Sequence, residues 1–488
     1  FGSALLSLTF LKDFILSLNR VIKNCSKPWL WFMLDGLFVL LILTFPVWFN
    51  MLPWDISRPL MGIIGIILLL LLMFSSMPVG AVMGLIGFLG FTYLVNIDAA
   101  LSLAGTIPYR IAASTEMATA PLFILMGVFC FHADLTKDIY ATLRSWMGRL
   151  PGGMAIATVG GCAGFAAVSG SSLASTATMG TLALPEMRRY KYDNGMACGS
   201  IAAGSSIGIL IPPSIPFLIY AMLTEESIAK LFIAGIIPGI MEAIFYILVI
   251  YFMCKIKPNL GPPGPSTTFK EKIISLKGTW GILTLFIVVI GGIYVGIFTP
   301  TESAAVGAFG AFLLGVVKKK WTRKNFFGAL AETSRMTGMF MLALIGARLF
   351  QYFLTISQIP FMLSDVVVAM PGPDMVKLLA ILSVYLVLGC IMPIMGIIIL
   401  TVPIFFPVII GLGYDPIWFG VMMVMMAEMG QITPPVGLNV FILAGIAKDI
   451  PLGTIYKGII PFVLTDIIRI ILILIFPAIA LWLPSLMG

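Results

Sequence analysis

Long apolar runs, separated by short stretches of charge, glycine or proline, recur along the whole chain, for example at residues 60–74, 231–251, 282–298 and 467–483. Runs of this kind cross the hydrocarbon of a bilayer as helices, so the pattern predicts an all-α polytopic membrane protein. Residues 3–24 read differently. Lys12, Asp13, Arg20 and Lys23 recur there at roughly helical spacing among apolar residues, as in an amphipathic helix lying on a membrane surface; a frayed tail is the plain alternative. An extra transmembrane helix is expected at residues 34–49, with Trp48 and Trp54 where an interfacial aromatic belt sits. The chain opens on Phe1 and not on Met, so its start is expected upstream.

Composition removes any soluble alternative. Of 488 residues, 60% are hydrophobic and 10% charged, with a mean hydropathy of +1.09, whereas soluble domains carry about 25% charged residues. The net charge of +8 is spread over short loops and forms no basic face, so lipid and not nucleic acid is the expected surroundings. Threaded by the positive-inside rule, the cytoplasmic side receives Arg144, Arg149, Arg188, Arg189, Lys191, Lys318, Lys324, Lys448 and Lys457. The outside receives mostly acids, among them Asp98, Glu225, Glu226, Glu302, Asp365 and Asp415. The six cysteines show no ligand spacing and read as packing residues.

Two segments resist this threading. Between Arg149 and Arg188, both cytoplasmic, there is too little chain for two crossings, which need about 40 residues and a turn. The segment at about 152–186 is therefore predicted to enter, break at Gly170 and return as a re-entrant hairpin, and residues 374–408 do the same from the outside. The two hairpins stand at a constant offset of 222 residues: Pro151 matches Pro373, Tyr192-Asp193 matches Tyr414-Asp415, and Pro212-Pro213 matches Pro434-Pro435. The matched points fall on opposite sides of the membrane. The prediction is an inverted repeat with about 11 transmembrane helices and two hairpins. Residues 60–254 form the first half, a proline-rich cytoplasmic linker covers 255–278, residues 279–488 form the second half, and 1–59 hold the surface helix and extra span.

Matched discontinuous segments in inverted halves imply a transport site near the midplane, because broken backbone in a bilayer is tolerated only where protein buries it or it lines a wet cavity. Ser169-Gly170-Ser171-Ser172 offers hydroxyls and freed carbonyls, suited to a hard cation such as sodium, beside a helix N-terminus suited to an anion. A close-packing face of small residues is the plain alternative there. The partner breaks, Gly208 to Ser214 and Gly430 to Gly437, carry paired prolines that free carbonyls upstream; a simple proline kink is the alternative. Glu428 and Asn439 lie within the second broken segment, and Glu428 tunes ion binding, takes up a proton or bridges helices. His132, the single histidine, sits near a span end beside Asp134, and Arg110, Glu116, Glu332 and Arg335 read as surface arms.

These residues resemble a known family. Pro121-Leu122-Phe123-Ile124-Leu125-Met126-Gly127, Leu150-Pro151-Gly152-Gly153, Ser169-Gly170-Ser171-Ser172, Gly208 to Ser214 and Gln431 to Asn439 together resemble the large membrane subunit of tripartite ATP-independent periplasmic (TRAP) transporters, within the ion-transporter superfamily. The likeness runs from about residue 60 to the C-terminus. It implies an elevator mechanism in a bacterial inner membrane, with sodium (Na+) as coupling ion. It also implies a small four-helix membrane subunit, a periplasmic substrate-binding protein and a small organic anion, a carboxylate or sulfonate, as cargo. By the same resemblance one sodium site uses Ser169, Ser171, Gly208, Ile211 and Pro213, and its mate uses Gly430, Thr433 and Pro435. Gly170, Ser172, Pro212, Pro434 and Asn439 are the corresponding substrate candidates, and no organic cofactor is expected. One departure stands out: many relatives carry an acid after the glycine of the second hairpin, where this chain reads Gly389-Cys390-Ile391-Met392-Pro393-Ile394-Met395-Gly396.

A stand-alone carrier of the same superfamily, needing no binding protein, is the nearest rival. An intramembrane serine protease, using the serines at Gly170-Ser171-Ser172, is a remote rival that needs a base within hydrogen-bond reach, for which His132 is the only histidine. A channel gives no reason for two matched hairpins.

Overall fold

The computed structural model describes residues 57–74, 77–264 and 267–487; the expected surface helix at 3–24 and the extra span at 34–49 lie outside the described residues. Among the described residues there are twenty α-helices, two 3-10 turns and no strand. In chain order the first ten are α1 (Arg58–Phe74), α2 (Val79–Leu94), α3 (Ile97–Ala113), α4 (Thr119–His132), α5 (Leu135–Met147), α6 (Gly153–Ser169), α7 (Ser172–Arg189), α8 (Asn194–Leu210), α9 (Ile215–Thr224) and α10 (Ile228–Ile256). The second ten are α11 (Phe269–Tyr294), α12 (Pro300–Val317), α13 (Arg323–Ile356), α14 (Ile359–Ala369), α15 (Asp374–Ile391), α16 (Ile394–Gly411), α17 (Pro416–Ile432), α18 (Leu438–Ile446), α19 (Leu452–Ile475) and α20 (Ala478–Ser485). Among the described residues, eight helical segments are long and apolar enough to cross a membrane, nine if α8 and α9, bent by 40° at their break, count as one span.

Side-chain exposure fits a lipid solvent. On α10, Ile240, Ile244, Leu248 and Phe252 form an exposed apolar stripe, while Glu242, Tyr246, Ile250 and Cys254 on the opposite face are buried. The helix is polar inside and greasy outside, the reverse of a water-soluble surface helix. On α11, Ile287 is 72% exposed, which lipid tolerates and water opposes.

Helix boundaries carry the 222-residue offset. Asn194–Leu210 matches Pro416–Ile432, and Ser172–Arg189 matches Ile394–Gly411, each end to end. The N-caps repeat as well: Asp193 accepts from the Met196 N–H at 3.0 Å and Asp415 from the Trp418 N–H at 2.8 Å. These two matched caps lie at opposite ends of α10, whose 29 residues extend roughly 43 Å. The Asp193 N–H donates to the Leu260 carbonyl just past the C-terminus of α10. Tyr220 donates to the Pro416 carbonyl at 2.7 Å near the N-terminus of α10. Partial burial, with Asp415 nearby, holds Glu226 in the turn before α10 above its ordinary carboxylate value. Ion pairs gather elsewhere: Arg144 with Glu186, Lys318 with Asp138, and Arg188 with Asp449 at 2.8 Å. His132 meets Glu332 at 2.9 Å.

The chain divides into two compact units: the described residues up to Ala113 with Ser334–Met362, and Ser114–Thr333 with Leu363–Gly488. In the first unit α2 and the middle of α13 touch backbone to backbone. A Cβ on Gly346 would lie 2.0 Å from the Gly80 carbonyl oxygen, and one on Gly87 would lie 2.5 Å from the Phe350 nitrogen. Only glycine permits that approach. Gly346→Val should therefore destabilise the purified protein by about 1–3 kcal/mol in thermal unfolding, whereas Gly105→Ala, where nothing lies within 4 Å of the new Cβ, should leave it unchanged.

Candidate functional site

The second unit holds all four breaks. α6 and α7 fold back on each other, with Ser175 Oγ donating to the Cys162 carbonyl at 3.3 Å. Gly170 turns the chain between them at φ +62°, its N–H closing α6 on the Ala166 carbonyl at 2.7 Å. A Cβ there would stand 2.7 Å from Ile215 Cδ1, so conformation and space both require glycine. Ser171 is extended and caps α7, accepting from the Ala174 N–H at 3.3 Å. Ser169 ends α6, and its side chain is outside the described set.

The first break follows α8. Ile211 is extended, the Pro212-Pro213 bond is cis, and Ser214 caps α9 by accepting from the Phe217 N–H at 3.4 Å. The break is buried, because α10 turns glycines toward it: a Cβ on Gly235 would lie 2.3 Å from the Leu210 oxygen. The second break, after α17, repeats the cis bond at Pro434-Pro435. Its packing differs. Pro434 and Pro435 are exposed, Thr433 Oγ1 donates to the Met429 carbonyl at 2.5 Å, and the Gly437 N–H donates to the Cys390 carbonyl at the second hairpin tip, 3.1 Å away. That tip has no glycine turn and no side-chain cap, since Met392 and Pro393 are simply extended.

The predicted residues thus gather in linked groups. The first tip packs on the start of α9 through Gly170, and the second tip packs on the second break, where Gly389 and Gly430 approach so closely that a Cβ on Gly430 would lie 2.6 Å from Gly389 Cα. A cross-link joins the halves: buried Ser172 donates to Gln431 Oε1 at 2.5 Å. Asn439 adds another, its Nδ2 donating to the Ala202 carbonyl at 3.3 Å while its Oδ1 has no hydrogen-bond partner. Glu428, one turn before Gln431, is fully buried with neither carboxylate oxygen hydrogen-bonded. Among the described residues, no three His, Cys, Asp or Glu side chains gather as a metal cluster.

The sequence reading missed two features. One is Tyr456, whose hydroxyl lies 2.6 Å from the Val436 carbonyl and 3.1 Å from the Pro435 carbonyl. The other is a buried ionic network between α10 and α19. Arg469 pairs with Glu242 and, at 3.2 Å, with Asp466; Tyr246 donates to Asp466 at 2.6 Å and Ser206 to Glu242 at 3.1 Å. Arg469 and Glu242 are 1% exposed and Asp466 2%, so one guanidinium is shared by two carboxylates away from water. The signal was present, since Glu242 and Arg469 each interrupt an otherwise apolar run.

Arg469→Met would leave two buried carboxylates without a counter-charge and should lower stability by about 3–5 kcal/mol. The triple variant Glu242→Gln, Asp466→Asn, Arg469→Met should recover most of that loss in thermal unfolding of the purified protein. A triple variant as unstable as the single one would mean that the loss is one of packing and not of charge.

A family model described as "Tripartite ATP-independent periplasmic transporter, DctM component" matches residues 66–479. The C4-dicarboxylate TRAP transporter large permease protein DctM of Pseudomonas aeruginosa is 36% identical over 83% of this chain and 94% of its own length. The sialic acid TRAP transporter large permease protein SiaM of Vibrio cholerae is 33% identical over 85% and 96%. The isethionate TRAP transporter permease protein DctMQ of Oleidesulfovibrio alaskensis is 33% identical over 74% of this chain and 57% of its own. Among solved structures, the Alcanivorax borkumensis YdaH transporter superposes with a TM-score of 0.58 over 79% of this chain and 90% of its own, at 14% identity, a likeness of fold alone. With the family model spanning most of the chain and the Pseudomonas and Vibrio relatives matched over nearly their whole length, this protein belongs to the large membrane permease subunits of the TRAP transporters.

Proposed function

We propose that the chain is the permease subunit of a secondary active transporter that takes up a small organic anion, a carboxylate or sulfonate, by sodium symport across a bacterial inner membrane. A small membrane subunit and a periplasmic binding protein, as in other members of the family, complete the system. The substrate class follows relatives named for C4-dicarboxylates, sialic acid and isethionate, a sulfonate.

The observation that carries this reading is the convergence of the first hairpin tip on both breaks, through Gly170 against Ile215 and Ser172 against Gln431. Around it lie a helix N-terminus for an anion and hydroxyls and freed carbonyls for a cation. Ser169, Ser171, Gly208, Ile211 and Pro213 would hold one sodium, and Gly430, Thr433 and Pro435 the second. Gly170, Ser172, Pro212, Pro434 and Asn439 would face the anion. Glu428, buried one turn from the second break with neither oxygen hydrogen-bonded, would tune the ion site, take up a proton or bridge helices.

Inversion of the two halves is supported by the matched caps Asp193 and Asp415 lying at opposite ends of α10. Exchange of access between the halves, in the manner of an elevator, follows from that symmetry. Burial of the first break and exposure of the second then read as one end state of the cycle. The exposed break lies beside Tyr456, next to Lys457, on the side that the positive-inside rule assigns to the cytoplasm.

The test is uptake into liposomes holding this chain and its small subunit. A sodium gradient should drive accumulation of the anion only when the binding protein is present. Uptake without the binding protein would favour the stand-alone carrier, and uptake indifferent to sodium would remove the symport reading. Within the same assay, replacing Ser171 should raise the sodium concentration for half-maximal uptake by about fivefold or more. Ser171 also caps α7, and alanine at a cap costs about 1 kcal/mol of stability; Ser171→Gly keeps most of the cap and is the cleaner variant.

A further inference from the structure

We infer that Tyr456 is a ligand of the second cation site and supplies the side-chain oxygen that the second hairpin does not. The inference rests on the sodium reading above. The first tip places three serines at its turn, whereas the matching residues Ile391, Pro393 and Ile394 of the second offer no side-chain oxygen. If the two halves hold cations in matched positions, the second must draw oxygens from elsewhere.

The geometry around the second break provides them. Tyr456 has a single hydroxyl proton and two carbonyls within reach, at 2.6 Å and 3.1 Å. Its proton goes to Val436, the shorter contact. The longer contact to the Pro435 carbonyl, 3.1 Å, shares that proton, and the Tyr456 Oη and Pro435 oxygens each keep a lone pair that the hydrogen bond does not use. Oxygens that share one hard cation at about 2.4 Å lie roughly 3 to 3.5 Å apart, so this spacing is that of neighbouring ligands. Thr433 is arranged in the same way, its proton committed to Met429 and its lone pairs open.

Position and access agree. Tyr456 is half-buried and lies against a small open pocket that Pro434, Ile459, Ile460, Val463 and Leu464 also line, so its hydroxyl is not sealed in the core. The matching position in the first half, with the one-residue slip of that region, is Ile233, which has no oxygen. In the first half the side-chain oxygens come from the hairpin tip, and in the second from Thr433 at the break and Tyr456 of α19.

The decisive experiment compares the native chain, Tyr456→Phe, Tyr456→Gln and Ser171→Gly, each with the small subunit. It reads the rise in unfolding temperature with added sodium against potassium, and the sodium dependence of uptake. Tyr456→Phe should shift the half-effective sodium concentration upward by about fivefold and lower the Hill slope toward one, with its unfolding temperature in potassium lowered only by the loss of the hydrogen bond to Val436. Tyr456→Gln, which returns an oxygen, should recover part of the response. A Phe variant that responds to sodium like the native chain, while Ser171→Gly is shifted, would overturn the assignment and leave the sodium reading standing. A Phe variant that binds sodium more tightly would also overturn it, since the phenol would then be a plug over the carbonyls. A native chain that ignores sodium in both readouts would bring down both readings.

Discussion

Backbone that stops being helical in an apolar medium must find partners for its N–H and C=O groups inside the protein, and the second unit is organised around four such places. At the first hairpin tip a left-handed glycine closes one helix and a serine caps the next. At the first break Ser214 caps α9, and α10 presents Gly235 so that the Leu210 carbonyl can sit against it. At the second break the polar groups are met from three directions: by the second hairpin through Gly437 and Cys390, by α17 itself through Thr433, and by α19 through Tyr456. Each solution draws on a different element, and this locks hairpin, broken helix and long helix into one body.

Charge adds a second constraint from the same physics. Arg469 is shared by Glu242 and Asp466, and Glu428 lies buried in their field with no hydrogen bond to either oxygen. Ser206, which donates to Glu242, and Glu428 occupy matched positions of the two halves, as do Tyr246 and Arg469 with the one-residue slip. The repeat therefore supplies a common frame in which opposite halves contribute unlike groups to one buried network. Such a network is weak as a source of stability and strong as a determinant of which helices lie beside which.

Much of this was legible in the sequence because its signals are local or strictly periodic. The prolines at 212–213 and 434–435, the glycine at 170 and the aspartates at 193 and 415 are turn and cap chemistry that depends on a few neighbouring residues, and the helix ends fall where they point. The offset of 222 residues turned one half into a check on the other. What stayed hidden depends on residues far apart in the chain. Tyr456 gains its meaning from carbonyls some twenty residues away that only the fold brings near, and the link from Ser172 to Gln431 crosses 259 positions. Glu242 and Arg469 were visible as charges within apolar runs, but window-averaged hydropathy smooths a single charge into its surroundings.

The central claim is that the oxygens freed at the paired breaks hold the coupling cation. Equilibrium binding of radioactive sodium to the purified chain, read by scintillation proximity without any substrate or binding protein, tests it most directly. Saturable binding that unlabelled sodium displaces and potassium does not, and that falls when the first-tip serines are replaced in a folded variant, is the predicted result. Binding that is absent, or that survives unchanged in that variant, would contradict it.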